Sequence, residues 1–223
     1  MADLTTRSPA HRKKVLSEEE WRLSCPSFTV LTVTDKAIIL HQGDPCEHVF
    51  YISKGRVKLS RMNHRGDQFT IAVLTDGQLF GAALSNQSDE PHPNTAEAKG
   101  RAVLHRVQLE EFRCLLARQP LLAWEVLGIQ SKWQRVLERK LELLMFHDVR
   151  SRLVETLRAL AGSHGGHCTH GFELDIKLTQ QELADLVGAT RPVVSTILNE
   201  FKERRILDYH RTLICIQDLD ALE

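Results

Sequence analysis

The chain has 223 residues, 42% hydrophobic and 26% charged, with 29 Lys plus Arg balanced by 29 Asp plus Glu. That length supports two ordinary domains with their own cores. Zero net charge excludes a protein that holds nucleic acid or an acidic partner by bulk charge, so any basic surface must be local. The opening MADLTTRSPAHRKKVLSEEEW lacks the apolar run of a signal peptide, and no later segment is apolar for the length of a membrane span. A cytoplasmic chain without membrane contact is expected. Five cysteines, Cys25, Cys46, Cys114, Cys168 and Cys215, contain no CxxC pair and suit reduced thiols better than a disulfide framework or zinc site. Cys46, Cys114 and Cys215 sit in apolar stretches and are expected in the core.

Residues 1–22 read as a polar, frayed start. From about Phe28 to Val107 the chain is punctuated by QGDP, SKGR, HRGD and TDGQ, and Gly55, Gly66 and Gly77 lie 11 residues apart. Between them run HVFYI, RVKLS and FTIAVL, β-branched and aromatic with partial alternation, so short strands at hairpin spacing predict a sandwich or barrel over 23–118. After Pro120 the period changes. Leu122, Val126, Ile129, Trp133, Val136, Lys140 and Leu143 follow at steps of four and three, a heptad seam on a long helix over 119–147. The seam is expected to face a second chain, with the off-seam Leu127, Leu137, Leu141 and Leu144 against the barrel and the Lys140 ammonium snorkelling outward.

Residues 148–223 begin with a helix, SRLVETLRALAG, that ends at Gly162. SHGGHCTHG then reads as a loop and FELDIKL as a strand. Thr179 with Glu182 three residues on forms a capping box that starts a helix with Leu183, Leu186 and Val187 on its apolar face. Gly188 permits a turn, and Thr190 or Arg191 caps a second helix whose apolar set is Val194, Ile197, Leu198 and Phe201. This is a helix-turn-helix, and ILDYHRTLICI behind it reads as a two-stranded wing. The exposed side of the second helix then carries Arg191, Pro192, Ser195, Thr196 and Asn199, with Thr179, Gln180, Gln181 and Thr190 at the helix starts. Double-stranded DNA is the expected partner. Arg191 suits a guanine edge in the major groove, and Lys202, Arg204, Arg205 and Arg211 suit phosphates. From Val149 onward there are nine Lys or Arg against eleven Asp or Glu, so the salt dependence should rest on few cations.

In this order the residues resemble the Crp/Fnr family of bacterial transcription regulators, carried by GDPCEHVFYISKGRVKLSRMNHRGD, FHDVRSRLVETL and KLTQQELADLVGATRPVVSTIL. They are most similar to the branch with the cyanobacterial nitrogen-control regulators. The resemblance implies an α+β chain: an N-terminal β-roll of the cyclic-nucleotide-binding type, a long dimerisation helix and a C-terminal winged helix-turn-helix. It also implies a homodimer on a near-palindromic operator, with RNA polymerase as a partner near the loop after Gly162.

Departures from the family pattern bear on the effector. Cyclic-AMP-binding members follow a glycine with a glutamate for the ribose and later place an arginine and a serine on the phosphate. Here Gly81 is followed by Ala82 and Ala83, and His92 and Pro93 take the later places. No Lys or Arg lies between Arg65 and Lys99, so cyclic AMP is not expected, and the arginine used for 2-oxoglutarate is not evident either. Only Cys25 and Cys46 fall in the N-terminal half, too few for a four-cysteine cluster. His41, His48, His64, His92 and His105 are available to a haem, but none is singled out, and no cofactor is expected. In the second helix Pro192 and Thr196 replace a family glutamate and arginine, so direct base reading should be thin. His164, His167, Cys168 and His170 are weak metal candidates, since the glycines around them argue for a polar loop. A cupin-type enzyme is disfavoured because no HxH occurs between Phe28 and Val107. A nucleotide-sensing signalling module whose C-terminal helices bind protein remains an alternative.

Overall fold

The computed structural model describes residues 17–66, 68–81, 91–168, 171–174, 176, 178–210, 213–219 and 221–222. Composition assigns residues up to 22 to a frayed start, but the described part of that stretch is structured. Ser17 and Glu20 form a reciprocal capping box that starts α1 (Glu18–Ser24), and this short helix exists to deliver Trp21. Its indole is 1% exposed, stacked near Phe28 and Phe112, so residues 17–22 are folded onto the roll rather than frayed.

Eight strands follow: β1 (Thr29–Val33), β2 (Ile38–Leu40), β3 (His48–Lys54), β4 (Val57–Met62), β5 (Gln68–Leu74), β6 (Leu79–Gly81), β7 (Thr95–Ala98) and β8 (Ala102–Gln108). They make two antiparallel sheets, ordered β1-β8-β3-β6 and β2-β7-β4-β5. Phe50, Ile52, Val57, Leu59, Leu74, Phe80 and Leu104 fill the space between them. The turn between β3 and β4 needs its glycine. Gly55 has φ +101°, and a Cβ there would lie 2.6 Å from the Arg101 carbonyl oxygen and 2.7 Å from the Ala102 Cα, backbone atoms that cannot swing aside.

A second apolar layer joins the roll to its helices. α2 (Leu109–Arg118) contributes Leu109, Phe112 and Leu115. Cys114 points the other way and is exposed, contrary to the sequence expectation, whereas Cys25 and Cys46 are buried and Cys215 is half-buried. α3 (Pro120–Phe146) reverses the expected assignment of faces. Leu122 and Val126 are buried in the roll's second layer, Ile129 packs on it, and Trp133 packs against the inter-sheet core. Leu127, Leu137, Leu141 and Leu144, expected against the roll, are exposed. Both stripes are apolar, so periodicity supplies two faces without saying which partner each meets. At the far end of the seam Val136 is exposed and Leu143 half-buried. Lys140 does not snorkel outward. Its Nζ donates to the carbonyls of Thr70 and Ile71 at 3.3 and 3.1 Å. β5 shifts register there, Leu59 facing Ala72 and Ser60 facing Thr70, and the bulged Ile71 opens the ladder for the ammonium. Burial lowers the Lys140 pKa.

The remainder is α4 (Val149–His164), β9 (Gly165–Cys168), β10 (Gly171–Leu174), α5 (Gln180–Val187), α6 (Arg191–Glu203), β11 (Leu207–His210) and β12 (Leu213–Ile216). Its sheet runs β11-β12-β10-β9 and closes over a core that includes Leu153, Leu157, Ile176, Leu183, Leu198, Phe201 and Ile216. Here the expected loop SHGGHCTHG is corrected: α4 runs through Gly162 to His164, and Gly165–Cys168 pair with β10. A glycine inside a helix costs about 1 kcal/mol, which packing of α4 on the core outweighs. α6 ends in a Schellman turn without the usual glycine. The Ile206 amide donates to the Phe201 carbonyl and the Arg205 amide to the Lys202 carbonyl, and Arg205 has φ +57°.

The two halves meet along a charged seam. Lys58 from β4 pairs with Glu97 of β7 at 2.9 Å and with Glu182 of α5 at 3.2 Å, and Lys99 pairs with Glu182 at 2.7 Å. Beside this cluster Val73 of β5 packs on the core of the C-terminal half.

Candidate nucleic-acid interface

The capping box at Thr179 forms as expected. Its hydroxyl accepts from the Glu182 amide at 3.2 Å while Glu182 Oε2 accepts from the Thr179 amide at 3.0 Å. The same carboxylate uses Oε1 for both lysines of the seam, so one side chain starts α5 and ties it to the roll. Burial would raise the Glu182 pKa, but the Lys99 ammonium, the Thr179 amide and Lys58 outweigh it and hold the carboxyl at about 2. α5 ends at Gly188, whose φ of +71° is left-handed and whose amide donates to the carbonyls of Ala184 and Asp185. Arg152 of α4 closes the same turn by donating to the carbonyls of Val187 and Gly188, both at 3.0 Å.

Thr190 is the extended N-cap of α6 but makes no side-chain capping bond, and Pro192 sits in the first turn where its missing amide costs nothing. Val194, Ile197, Leu198 and Phe201 are buried, which turns Arg191, Pro192, Thr196 and Asn199 to the exposed side with Ser195 half-buried at its edge. The Thr196 hydroxyl donates back to the Pro192 carbonyl at 3.1 Å. Thr179, Gln180, Gln181, Arg191 and Tyr209 converge on one open cavity of about 520 Å3, which brings the starts of both helices and the wing together. Gln181 Nε2 bonds Asp185 at 2.8 Å.

The basic residues divide into two groups. Arg150 pairs with Glu200, and Arg158 donates to the Leu222 carbonyl. Lys202, expected on phosphate, instead pairs with Asp208 of the wing at 2.7 Å and lies 5.4 Å from the Tyr209 ring centroid; Asp208 raises its pKa. Among the described residues Arg191, Arg204 and Arg205 have no ion-pair partner. Arg211 lies outside the described residues. Tyr209, whose hydroxyl donates to Asn199 Oδ1 at 2.7 Å, was not legible in the sequence, because a strand ten residues on supplies it.

Where a degenerate effector pocket was expected, a cavity of about 170 Å3 lies between the sheets and α3. Gly81, His92 and Pro93 line it with Leu40, Phe80 and, from the helix, Gln130 and Trp133; Ala82 and Ala83 lie outside the described residues. No Lys or Arg is among the described lining residues. His92 is buried, and burial lowers its pKa even though Asp44 opposes the shift. Its Nδ1 lies 3.2 Å from the Cys46 sulfur. Arg61, missed by the sequence reading, reaches the rim from β4, but its Nε is bonded to the Pro93 carbonyl and Asn94 Oδ1, both at 3.0 Å. Of the hinge cluster, His164, His167 and Cys168 are placed as backbone in α4 and β9, and His170 lies outside the described residues.

A two-sheet roll, a long helix and a winged helix-turn-helix make the architecture of a DNA-binding transcription regulator. The comparisons agree. Residues 30–119 match the cyclic nucleotide-binding domain and 151–223 the Crp-like helix-turn-helix domain. The chain is 32% identical over 182 residues to a global nitrogen regulator of Nostoc sp., covering 80% of each. It is 25% identical to the cAMP-activated global transcriptional regulator CRP of Salmonella typhimurium, covering 88% of this chain and 92% of that one. In fold it is similar to a CooA mutant from Carboxydothermus hydrogenoformans, with a TM-score of 0.76 at 24% identity over 95% of this chain and 94% of that chain. The chain belongs to the Crp/Fnr family of transcription regulators. Its relatives are regulators, not enzymes, and among the described residues no helix is long and apolar enough to cross a membrane.

Proposed function

We propose that the chain works in the cytoplasm as a homodimer that binds a near-palindromic operator, with the roll (23–118) as sensor, 119–147 as dimerisation helix and 148–223 as reader. The observation that supports this reading best is the exposed face of α6, where Arg191 stands without an ion-pair partner among the described residues, beside Thr179, Gln180, Gln181 and the wing. Base reading is thin: Arg191 takes one guanine, Asn199 and Ser195 flank it, and Arg204 and Arg205 meet phosphate. RNA polymerase is contacted near the α4–β10 segment, a role taken from the family resemblance alone.

The dimer face is the exposed stripe of α3. Trp124, Leu127, Leu137, Leu141 and Phe146 are 71%, 50%, 38%, 60% and 80% exposed, an apolar run that a soluble monomer has no use for. Introducing a charge at its centre, Leu141→Asp, is expected to raise the dimer dissociation constant at least tenfold while the roll core stays intact. Sedimentation equilibrium checks this, and a dimer of unchanged affinity assigns the interface elsewhere.

The effector is not cyclic AMP. No Lys or Arg is among the described lining residues and burial lowers the His92 pKa, so the lining offers a cyclic phosphate no fixed counter-charge. Selection of random duplex DNA with no added small molecule tests the whole reading, since a two-fold-symmetric guanine-containing site is the expected product. Micromolar cyclic AMP should leave the affinity for that site unchanged; a rise would overturn this account of the cavity.

A further inference from the structure

Asn199 is exposed near the middle of α6, three residues after Thr196, where a free asparagine samples several rotamers and both amide orientations. Here it is held. Tyr209 stands in β11, in register with Ile214 of β12, and its hydroxyl donates to Asn199 Oδ1 at 2.7 Å. Tyr209 is half-buried and packs on the core of the C-terminal half on one side. On the other, the Lys202 ammonium lies 5.4 Å from its centroid and is itself fixed by Asp208 at 2.7 Å. Lys202, Asp208 and Tyr209 thus form a bracket whose geometric output is the direction of one amide.

We infer that Tyr209 is a positioning residue for base reading: by occupying the Asn199 carbonyl it turns the Nδ2 amide outward as a donor, so that Asn199 selects a base carrying a major-groove acceptor at one position of each half-site. Guanine, adenine and thymine offer such an acceptor at N7, O6 or O4, whereas cytosine presents its N4 amine and is rejected. The wing therefore acts on sequence choice without touching a base. This rests on the DNA-binding reading above.

The test is a panel of duplexes carrying all four bases at each half-site position, titrated by anisotropy against wild type, Tyr209→Phe, Asn199→Ala and the double variant. Wild type should discriminate against cytosine at one position by about tenfold. Tyr209→Phe keeps the ring under Lys202 and should cut that ratio below about threefold, leaving the guanine preference due to Arg191 and the thermal midpoint unchanged. Asn199→Ala should do the same, and the double variant should go no further than Asn199→Ala. A Tyr209→Phe protein with wild-type preferences, or one weakened equally on every duplex, overturns the inference while leaving the DNA reading standing. A wild type that selects no sequence overturns both.

Discussion

Replacing Arg191 with alanine is expected to produce the largest loss of function of any single change on this surface. The residue is the first of α6, it is exposed, and it faces the cavity shared with Thr179, Gln180, Gln181 and Tyr209. A planar guanidinium reaching guanine O6 and N7 contributes about 1 to 3 kcal/mol of discrimination. Two half-sites double this, so operator affinity should fall by about 30-fold at the low end and by about 10^4-fold at the high end. Arg191→Lys separates charge from shape: it should keep the salt dependence and still lose the guanine preference, since an ammonium has no fork. Titration of the selected duplex at fixed salt decides the matter, and an alanine variant that binds as tightly as wild type removes Arg191 from the interface. The salt slope itself should be shallow, because Lys202 and Arg150 are committed to Asp208 and Glu200.

The second large effect is at the seam. Lys58, Lys99, Glu97 and Glu182 are each 17% exposed or less, two positive and two negative charges in balance. Glu182→Gln keeps the shape and the capping of Thr179 but takes from the enclosed Lys99 ammonium the carboxylate it pairs with and leaves Lys58 on Glu97 alone. Removing one partner of a buried pair costs about 3 kcal/mol or more, so the first thermal transition should drop by about 10 °C. Acid provides an independent check. Because the folded Glu182 pKa is about 2, below the ordinary 4.5, its contribution is complete above about pH 4.5 and is lost as pH falls toward 2. Lys58 has the opposite sign: Glu97 and Glu182 outweigh burial and raise its pKa above the ordinary 10.5, so its share persists until pH climbs past that value. Wild type should lose stability between pH 4.5 and 2 more steeply than the glutamine variant; parallel acid profiles would show that the cluster does not hold the two halves together.

How far the molecule was legible in advance depends on where each constraint is written. Turns are local, so the glycines spaced along the roll and Gly188 marked turns and a helix end, but of the roll turns only the one at Gly66 joins strands that pair with each other, β4 and β5, while those at Gly55 and Gly77 cross between the two sheets. The exposed face of α6 followed from its complement, since a buried set of Val194, Ile197, Leu198 and Phe201 leaves only one side for solvent. Partner identity is not local. α3 carries apolar residues on two stripes, and nothing in its spacing says that Leu122 and Val126 belong to the roll while Leu141 stays open. Lys140 looked like a seam blemish because the acceptors it serves, the carbonyls of Thr70 and Ile71, exist only where β5 bulges. Tyr209 and Arg61 were missed for the same reason, each acting on residues brought to it by a different strand.

The pinning of Lys140 gives α3 a fulcrum. At about 1.5 Å of rise per residue, Trp133 on the cavity wall stands roughly 10 Å to one side of Lys140 and Phe146, where α4 begins its turn away, roughly 9 Å to the other. An occupant of the cavity that displaces Trp133 by ~1 Å is expected to tilt Phe146 about as far in the opposite sense. Spin-label distances from residue 145 to the roll should report that reciprocal movement, and Lys140→Met, which removes the fulcrum, should abolish it.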